Sequence, residues 1–278
     1  MSFFETSFLW FEAVVASTAV AAVCALVGVY TIMRRVVFLP AALSQISGFG
    51  VVFAFLLVAW FPALEGSRVA GPEVVAAIIT LGAALALGWM PEPKRLSREA
   101  IIGIAYIVAS ALVIMIGDRI PQEAHDIKDI LFGNAVAVEK SQMYMALAVS
   151  GAVLLVHVAM LRPFLLASFD PDTARAHGVP VGVIDAVLFL TLGLAISTAT
   201  KTIGAMPVFA FSVLPAATAL KLFTDIRLVF LSAALIGSAS AFFGYWASFS
   251  WSIPTGACMV GTAAVFSLIG WVVTIRRS

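Results

Sequence analysis

Three histidines are the chain's only imidazoles, and each sits in a different chemical setting. His125 precedes Asp129 by four positions, in a stretch that also carries Asp118, Glu123 and Asp126. An imidazole and a carboxylate spaced i, i+4 share one helical face and can jointly hold a divalent cation. His125 and Asp129 are therefore the candidate metal ligands, although solvated residues that dock a partner would read the same way. His157 lies in an apolar stretch, where an ionisable side chain is by default a functional feature. A structural histidine bonded to a neighbouring helix would have the same appearance. His177 belongs to the segment Ser168-Phe169-Asp170-Pro171-Asp172-Thr173-Ala174-Arg175-Ala176-His177-Gly178-Val179-Pro180. Asp170 is a good helix N-cap there, and Pro171 fits the first helical position, where its missing N–H costs nothing. Asp172 and Arg175 suit the two ends of the helix dipole. Gly178 can take the left-handed conformation that closes a helix, and Pro180 forbids its continuation. The segment predicts about two turns of helix. It is either a connector or a docking element, with Asp172, Arg175 and His177 presented to a partner and Phe169 anchoring it to the rest of the chain.

The elements that must position these groups are set by hydrophobicity. Of 278 residues, 62% are hydrophobic and 11% charged, against about 25% charged in ordinary soluble domains. Several stretches free of Asp, Glu, Lys and Arg reach the roughly 20 apolar residues that a helix needs to cross a bilayer. Residues 13–33, 36–64, 141–161 and 202–220 are among them. Residues 228–275 form an uncharged run of 48, which must be two spans with a turn near Pro254. These runs are apolar on all sides, unlike the alternating strands of a barrel. The expectation is an all-α polytopic membrane protein, residues 1–278 forming a single transmembrane domain. Its nine spans are expected near 8–33, 38–61, 73–90, 100–117, 143–161, 181–200, 203–221, 228–248 and 255–275. With the N-terminus outside, eleven Lys/Arg fall on the cytoplasmic side and five on the other, as the positive-inside rule requires. The second span carries Ser44, Gln45, Ser47, Gly48 and Gly50 in its first half. Such a stretch is tolerated in a bilayer only where it faces protein or a water-filled cavity. Ser44, Gln45 and Ser47, together with His157, Ser212 and the mid-helix Pro215, are the candidate residues of a translocation pathway.

Several functions lose ground. No Gly-x-x-x-x-Gly-Lys-Ser/Thr loop occurs, so this chain does not bind and hydrolyse ATP by that route. Cys24 and Cys258 lie inside expected spans without metal-ligand spacing. No convincing intramembrane hydrolase constellation is found, and a net charge of +1 gives no sign of nucleic acid. Well inside the spans only His157 titrates, which counts against proton-coupled secondary transport.

The segment Phe169-Asp170-Pro171 followed by Ala174-Arg175-Ala176-His177-Gly178-Val179-Pro180 resembles the cytoplasmic loop of the zinc/manganese-uptake ABC transporter permeases. Gly204, the run from Val213 through Pro215 to Ala219, and Asp129 through Asn134 resemble further segments of that family. So do Gly244, Ile253-Pro254-Thr255-Gly256-Ala257, and the corner formed by Arg34-Arg35, Phe38-Leu39 and Ala42-Leu43-Ser44. The ordered set covers most of the chain. One departure matters. After Phe-Leu the family typically reads Gly-Asp-Ala-Leu-Ser-His, and here Ala41 stands for the acid and Gln45 for the histidine.

The resemblance implies a non-enzymatic permease subunit of a binding-protein-dependent importer in the bacterial cytoplasmic membrane, with zinc or manganese as cargo. It implies a second permease copy, a separate ATPase dimer that uses the ATP, and an extracytoplasmic metal-binding protein. No resident cofactor is implied. Phe169, Asp170, Pro171, Ala174, Arg175 and Gly178 would couple the permease to the ATPase. The missing Asp and His keep open a permease for a metal chelate or siderophore, and a secondary transporter is the remaining alternative.

Overall fold

A computed structural model describes residues 7–64, 67, 71–90, 96–120 and 138–275. Among these, the regular structure is helical throughout. The elements are α1 (Ser7–Met33), α2 (Leu39–Trp60), α3 (Pro72–Trp89), α4 (Arg98–Gly117), α5 (Lys140–Ala159), α6 (Leu161–Phe169), α7 (Pro171–Ala176), α8 (Val181–Ile203), α9 (Ala205–Leu222), α10 (Ile226–Trp251) and α11 (Thr255–Ile275). Among the described residues, nine helices are long and apolar enough to cross a membrane, as the hydrophobic runs predict. Successive spans alternate in direction. The face where α1 begins is called here the first face, and the one where it ends the second.

The spans divide by burial. α1 is the central helix, with 72% of its apolar window buried against α10, α9, α5 and α8. α4 has only 17% buried and α5 and α11 22%, so these three turn most of their apolar surface outward. Because lipid tails are as apolar as leucine, helices in a bilayer associate through close packing of small residues and through polar contacts. The α1/α9 contact shows this: a Cβ added at Gly28 would stand 1.8 Å from the Ser212 carbonyl oxygen. The polar half of α2 meets the condition set for it. Ser44, Ser47, Gly48 and Gly50 are buried, and Gly50 abuts the Ala76 backbone of α3.

Two local features differ from the sequence expectation. The residues between α5 and the short helix form an additional helix, α6, with Pro163 in its first turn and Phe164 and Ala167 buried. Its nine residues are too few for a hydrophobic period to stand out. At the other end of the bundle, α8 passes to α9 through Gly204 alone, at φ +87° and ψ 162°, a conformation open to glycine.

Candidate functional site

The short helix forms as its sequence dictates. The Asp170 carboxylate accepts hydrogen bonds from the Thr173 N–H at 2.9 Å and the Thr173 hydroxyl at 2.5 Å. These bonds, the hydroxyl's foremost, hold the Asp170 carboxyl below the usual carboxylate range. At the other end, the Val179 N–H reaches the Ala174 carbonyl and the Gly178 N–H the Arg175 carbonyl, both at 3.0 Å. This is a Schellman closure, with Gly178 at φ +74°. His177 Nδ1 lies 2.9 Å from the Thr173 carbonyl, so its side chain caps the helix. Asp172 and Arg175 pair at 2.7 Å on the exposed surface.

The expectation for Phe169 needs correction. It is 67% exposed and anchors nothing. At about 100° per residue, Phe169 lies some 200° round the helix from Ala167, on the face opposite the buried one. The anchors are Phe164 and Ala174, both fully buried in one cluster with Val181, Ile184 and Tyr30. Phe169 is therefore presented outward beside the capped helix.

A residue outside the candidate set ties this segment to the bundle. Arg34, at the end of α1, pairs with Asp185 in the first turns of α8 at 2.7 Å. Its Nε donates to the Ser168 hydroxyl at 2.9 Å, and Ser168 donates in turn to the Phe164 carbonyl at 2.6 Å. The guanidinium also lies 5.6 Å from the Phe189 ring centroid. One side chain thus holds both flanks of the short helix. Asp185 is only 24% exposed and is held by Arg34. The contact is an ion pair by distance, while Asp185 Oδ1 and Arg34 Nη2 lack a well-aligned hydrogen bond.

The expected pathway residues separate into groups. Ser47 Oγ approaches Ser197 Oγ of α8 at 3.4 Å. Ser197 lines a cavity of about 80 Å³ with Glu73, Gln142, Thr198, Lys201 and Thr202. Across it, Lys201 Nζ and Glu73 Oε1 pair at 2.5 Å. One turn from Ser47 towards the second face, Ser44 donates to the Ala41 carbonyl at 2.8 Å. Gln45 presents a buried Oε1 without a partner. Polar groups therefore run inward from the first face, from Glu73 and Lys201 to Ser197 and Ser47, while Gln45, some 200° round α2 from Ser47, stands on another face of that helix. The remaining three stand elsewhere. Ser212 is buried in the α1/α9 contact, donating to the Val208 carbonyl at 2.8 Å, and Pro215 is buried in the continuous helix α9. His157 faces a separate cavity near the second face. His125 and Asp129 lie outside the described residues.

Sequence reading missed Arg34, Asp185, Glu73, Lys201 and Ser197. The charged ones sit at helix ends, where snorkelling is the ordinary explanation. Only the packing of α1 against α8, and of α3 against α8, shows that they face one another.

An all-helical bundle of this kind, with a capped helix protruding at one face and a polar track leading from the other, has the form of a membrane permease. The sequence pattern of the ABC 3 transport family matches residues 7–274, and the chain belongs to that family. It is 32% identical over 253 residues to the manganese transport system membrane protein MntC of Halalkalibacterium halodurans, covering 91% of this chain and 83% of the relative. The manganese import system permease protein ScaB of Streptococcus parasanguinis is 30% identical over 96% of this chain and 91% of its own. Among solved structures, PsaBC from Streptococcus pneumoniae, in complex with Fab, superposes with a TM-score of 0.81 at 26% identity. That match covers 95% of this chain and 91% of the other.

Proposed function

We propose that this chain is the membrane permease of a binding-protein-dependent ABC importer of divalent metal ions, with manganese as the favoured cargo. The observation that carries this reading is the match, over 91% and 96% of this chain, to relatives named as a manganese transport system membrane protein and a manganese import system permease protein. The first face is extracytoplasmic and the second cytoplasmic, the orientation favoured by the distribution of Lys and Arg. Two copies form the translocation pathway between them. The ATPase is a separate dimer seated on α7, which is the coupling helix; Asp170, Pro171, Ala174 and Gly178 shape it, while Phe169 and Arg175 meet the ATPase.

Ions delivered by an extracytoplasmic binding protein enter beside Glu73 and Lys201 and descend past Ser197 and Ser47. Breaking the Lys201–Glu73 pair frees a carboxylate for the arriving cation. Where the family pattern has Asp and His, this chain has Ala41 and Gln45. Hydroxyl and amide oxygens remain, and oxygen donors suit hard manganese better than zinc, which favours nitrogen and sulfur. The same substitutions favour, as a second reading, a chelate whose own ligands hold the metal.

The test measures cellular metal in a deletion strain grown under metal limitation. Manganese content should fall and return with the wild-type gene. Unchanged manganese and zinc would overturn the metal reading. Asp170→Arg combined with Gly178→Val should abolish transport and release the ATPase; normal co-purification and transport in that double variant would sink the coupling assignment.

A further inference from the structure

Near the second face, α1, α5 and α10 enclose a cavity of about 170 Å³ that none of the functional reading above uses. Tyr30 of α1 and His157 of α5 form its floor, at 1% and 2% exposure. Their rings lie 5.4 Å apart between centroids. The Tyr30 hydroxyl and His157 Nε2 are both buried and both without a hydrogen-bond partner. The state of His157 follows from its other nitrogen. Nδ1 lies 2.8 Å from the Val153 carbonyl, which can only accept, so Nδ1 carries a hydrogen, and in the neutral tautomer this selects, Nε2 is the acceptor.

Leaving a polar group buried and unsatisfied forfeits its hydration without replacement, and here two do so in one cavity. Water is a poor occupant. The volume exceeds what one water needs several-fold, and each water requires two to four polar partners. The rest of the floor and walls is apolar, with Leu26, Val158 and Leu161. The rim carries a charge: Arg227, in the first turn of α10, is exposed and lines the same cavity. Its backbone N–H is taken by Asp225 at 2.8 Å, while its guanidinium has no partner among the described residues. Val158, 68% exposed, opens the cavity sideways at the same level. Apolar walls at the depth of the last helical turns, a cation at the rim and a hydrogen-bond acceptor within describe one kind of molecule.

We propose that this cavity is a binding site for an anionic phospholipid with a hydroxyl-bearing headgroup, of the phosphatidylglycerol type. The phosphate sits on Arg227, a headgroup hydroxyl donates to His157 Nε2, and the Tyr30 hydroxyl donates to a phosphate or headgroup oxygen. The acyl chains lie against Leu26, Val158 and Leu161. A phosphatidylethanolamine headgroup would place its ammonium beside the guanidinium and is disfavoured. Only the assignment to the cytoplasmic leaflet rests on the orientation proposed above; binding itself does not depend on transport.

The test places the full-length chain, with its partner subunits, in phosphatidylcholine nanodiscs. Phosphatidylglycerol, phosphatidic acid or phosphatidylethanolamine is added, and retained lipid is counted by native mass spectrometry. Phosphatidylglycerol should be retained most, and soluble glycerol 3-phosphate should not compete unless the acyl chains contribute nothing. Arg227→Ala should weaken retention of both anionic lipids by roughly tenfold, the size of one charge-assisted contact. Tyr30→Phe with His157→Phe keeps the rings and removes the polar atoms. It should erase the preference for phosphatidylglycerol over phosphatidic acid while Arg227-dependent binding persists. Equal retention of all lipids by the wild type would overturn the site, as would an unchanged preference in the double variant. Glycerol 3-phosphate competing as well as the lipid would reassign the site to a soluble phosphate. A metal-uptake defect without altered lipid retention would bear on the transport reading alone.

Discussion

The Arg34–Asp185 contact offers the sharpest test of how the short helix α7 is held. The perturbation is a double-mutant cycle with Arg34→Gln and Asp185→Asn, each preserving much of the side chain's volume. Exposed ion pairs contribute about 0.2–1 kcal/mol, whereas removing one partner of a fully buried pair costs about 3–5 kcal/mol. Arg34 is 10% exposed and Asp185 24%, at a separation of 2.7 Å, and the pair lacks an aligned hydrogen bond. The coupling energy should therefore fall between these limits, at about 1–2 kcal/mol. Arg34→Gln should cost more than Asp185→Asn, because only Arg34 also donates to Ser168. Equilibrium unfolding of the four proteins in mixed micelles gives the coupling term. Metal transported per ATP hydrolysed, measured in proteoliposomes with the ATPase present, gives the functional term and should drop in Arg34→Gln. Arg34→Lys keeps the charge but loses the fork that reaches Asp185 and Ser168 together, so it should rescue poorly. If the two single changes add to within about 0.3–0.5 kcal/mol, the pair is not energetically linked and the reasoning fails. Unaltered transport stoichiometry in Arg34→Gln would show that holding both flanks of the helix does not matter for coupling.

Three further outcomes are expected. Gly178→Ala meets no atom within 4 Å but must hold φ +74°, at a cost of about 1–2 kcal/mol. Hydrogen exchange across α7 should quicken, with Gly178→Asn affected less. The depressed Asp170 carboxyl stabilises the cap fully above the unfolded-state value near 4. That contribution is lost only as pH falls through the lower folded value. Coupling measured from about pH 5 to 8 should therefore show no transition from this residue, and Asp170→Ala should weaken it at every pH in that range. Gly28→Ala places a methyl 1.8 Å from the Ser212 carbonyl, whereas Gly261→Ala meets open space. The first should lower the yield of folded protein sharply, through overpacking of more than about 1–3 kcal/mol, and the second should leave yield and melting temperature unchanged.

The chain's solvent is written in its composition. Uncharged runs of span length made the helices and their number readable, because a bilayer forces each such run to satisfy its backbone internally. The short helix α7 was equally plain: Asp170, Pro171, Gly178 and Pro180 act on backbone groups within a few residues, so no distant contact is needed to form it. What the sequence could not supply is which helices touch. Phe169 reads as an anchor until α6 forms and turns it outward. Asp185 reads as a snorkelling acid until α1 brings Arg34 within 2.7 Å. Ser47 and Ser197 stand 150 residues apart in sequence yet meet at 3.4 Å. Glu73 and Lys201 close one cavity in the same way, and Tyr30 and His157 floor another. Local hydrogen bonding and hydrophobic length are properties of a short stretch and belong to the sequence. The meeting of polar groups across the bundle depends on helix rotation and depth, which are set by the packing of small residues such as Gly28 and Gly50 against neighbouring backbones, and only the tertiary structure decides that.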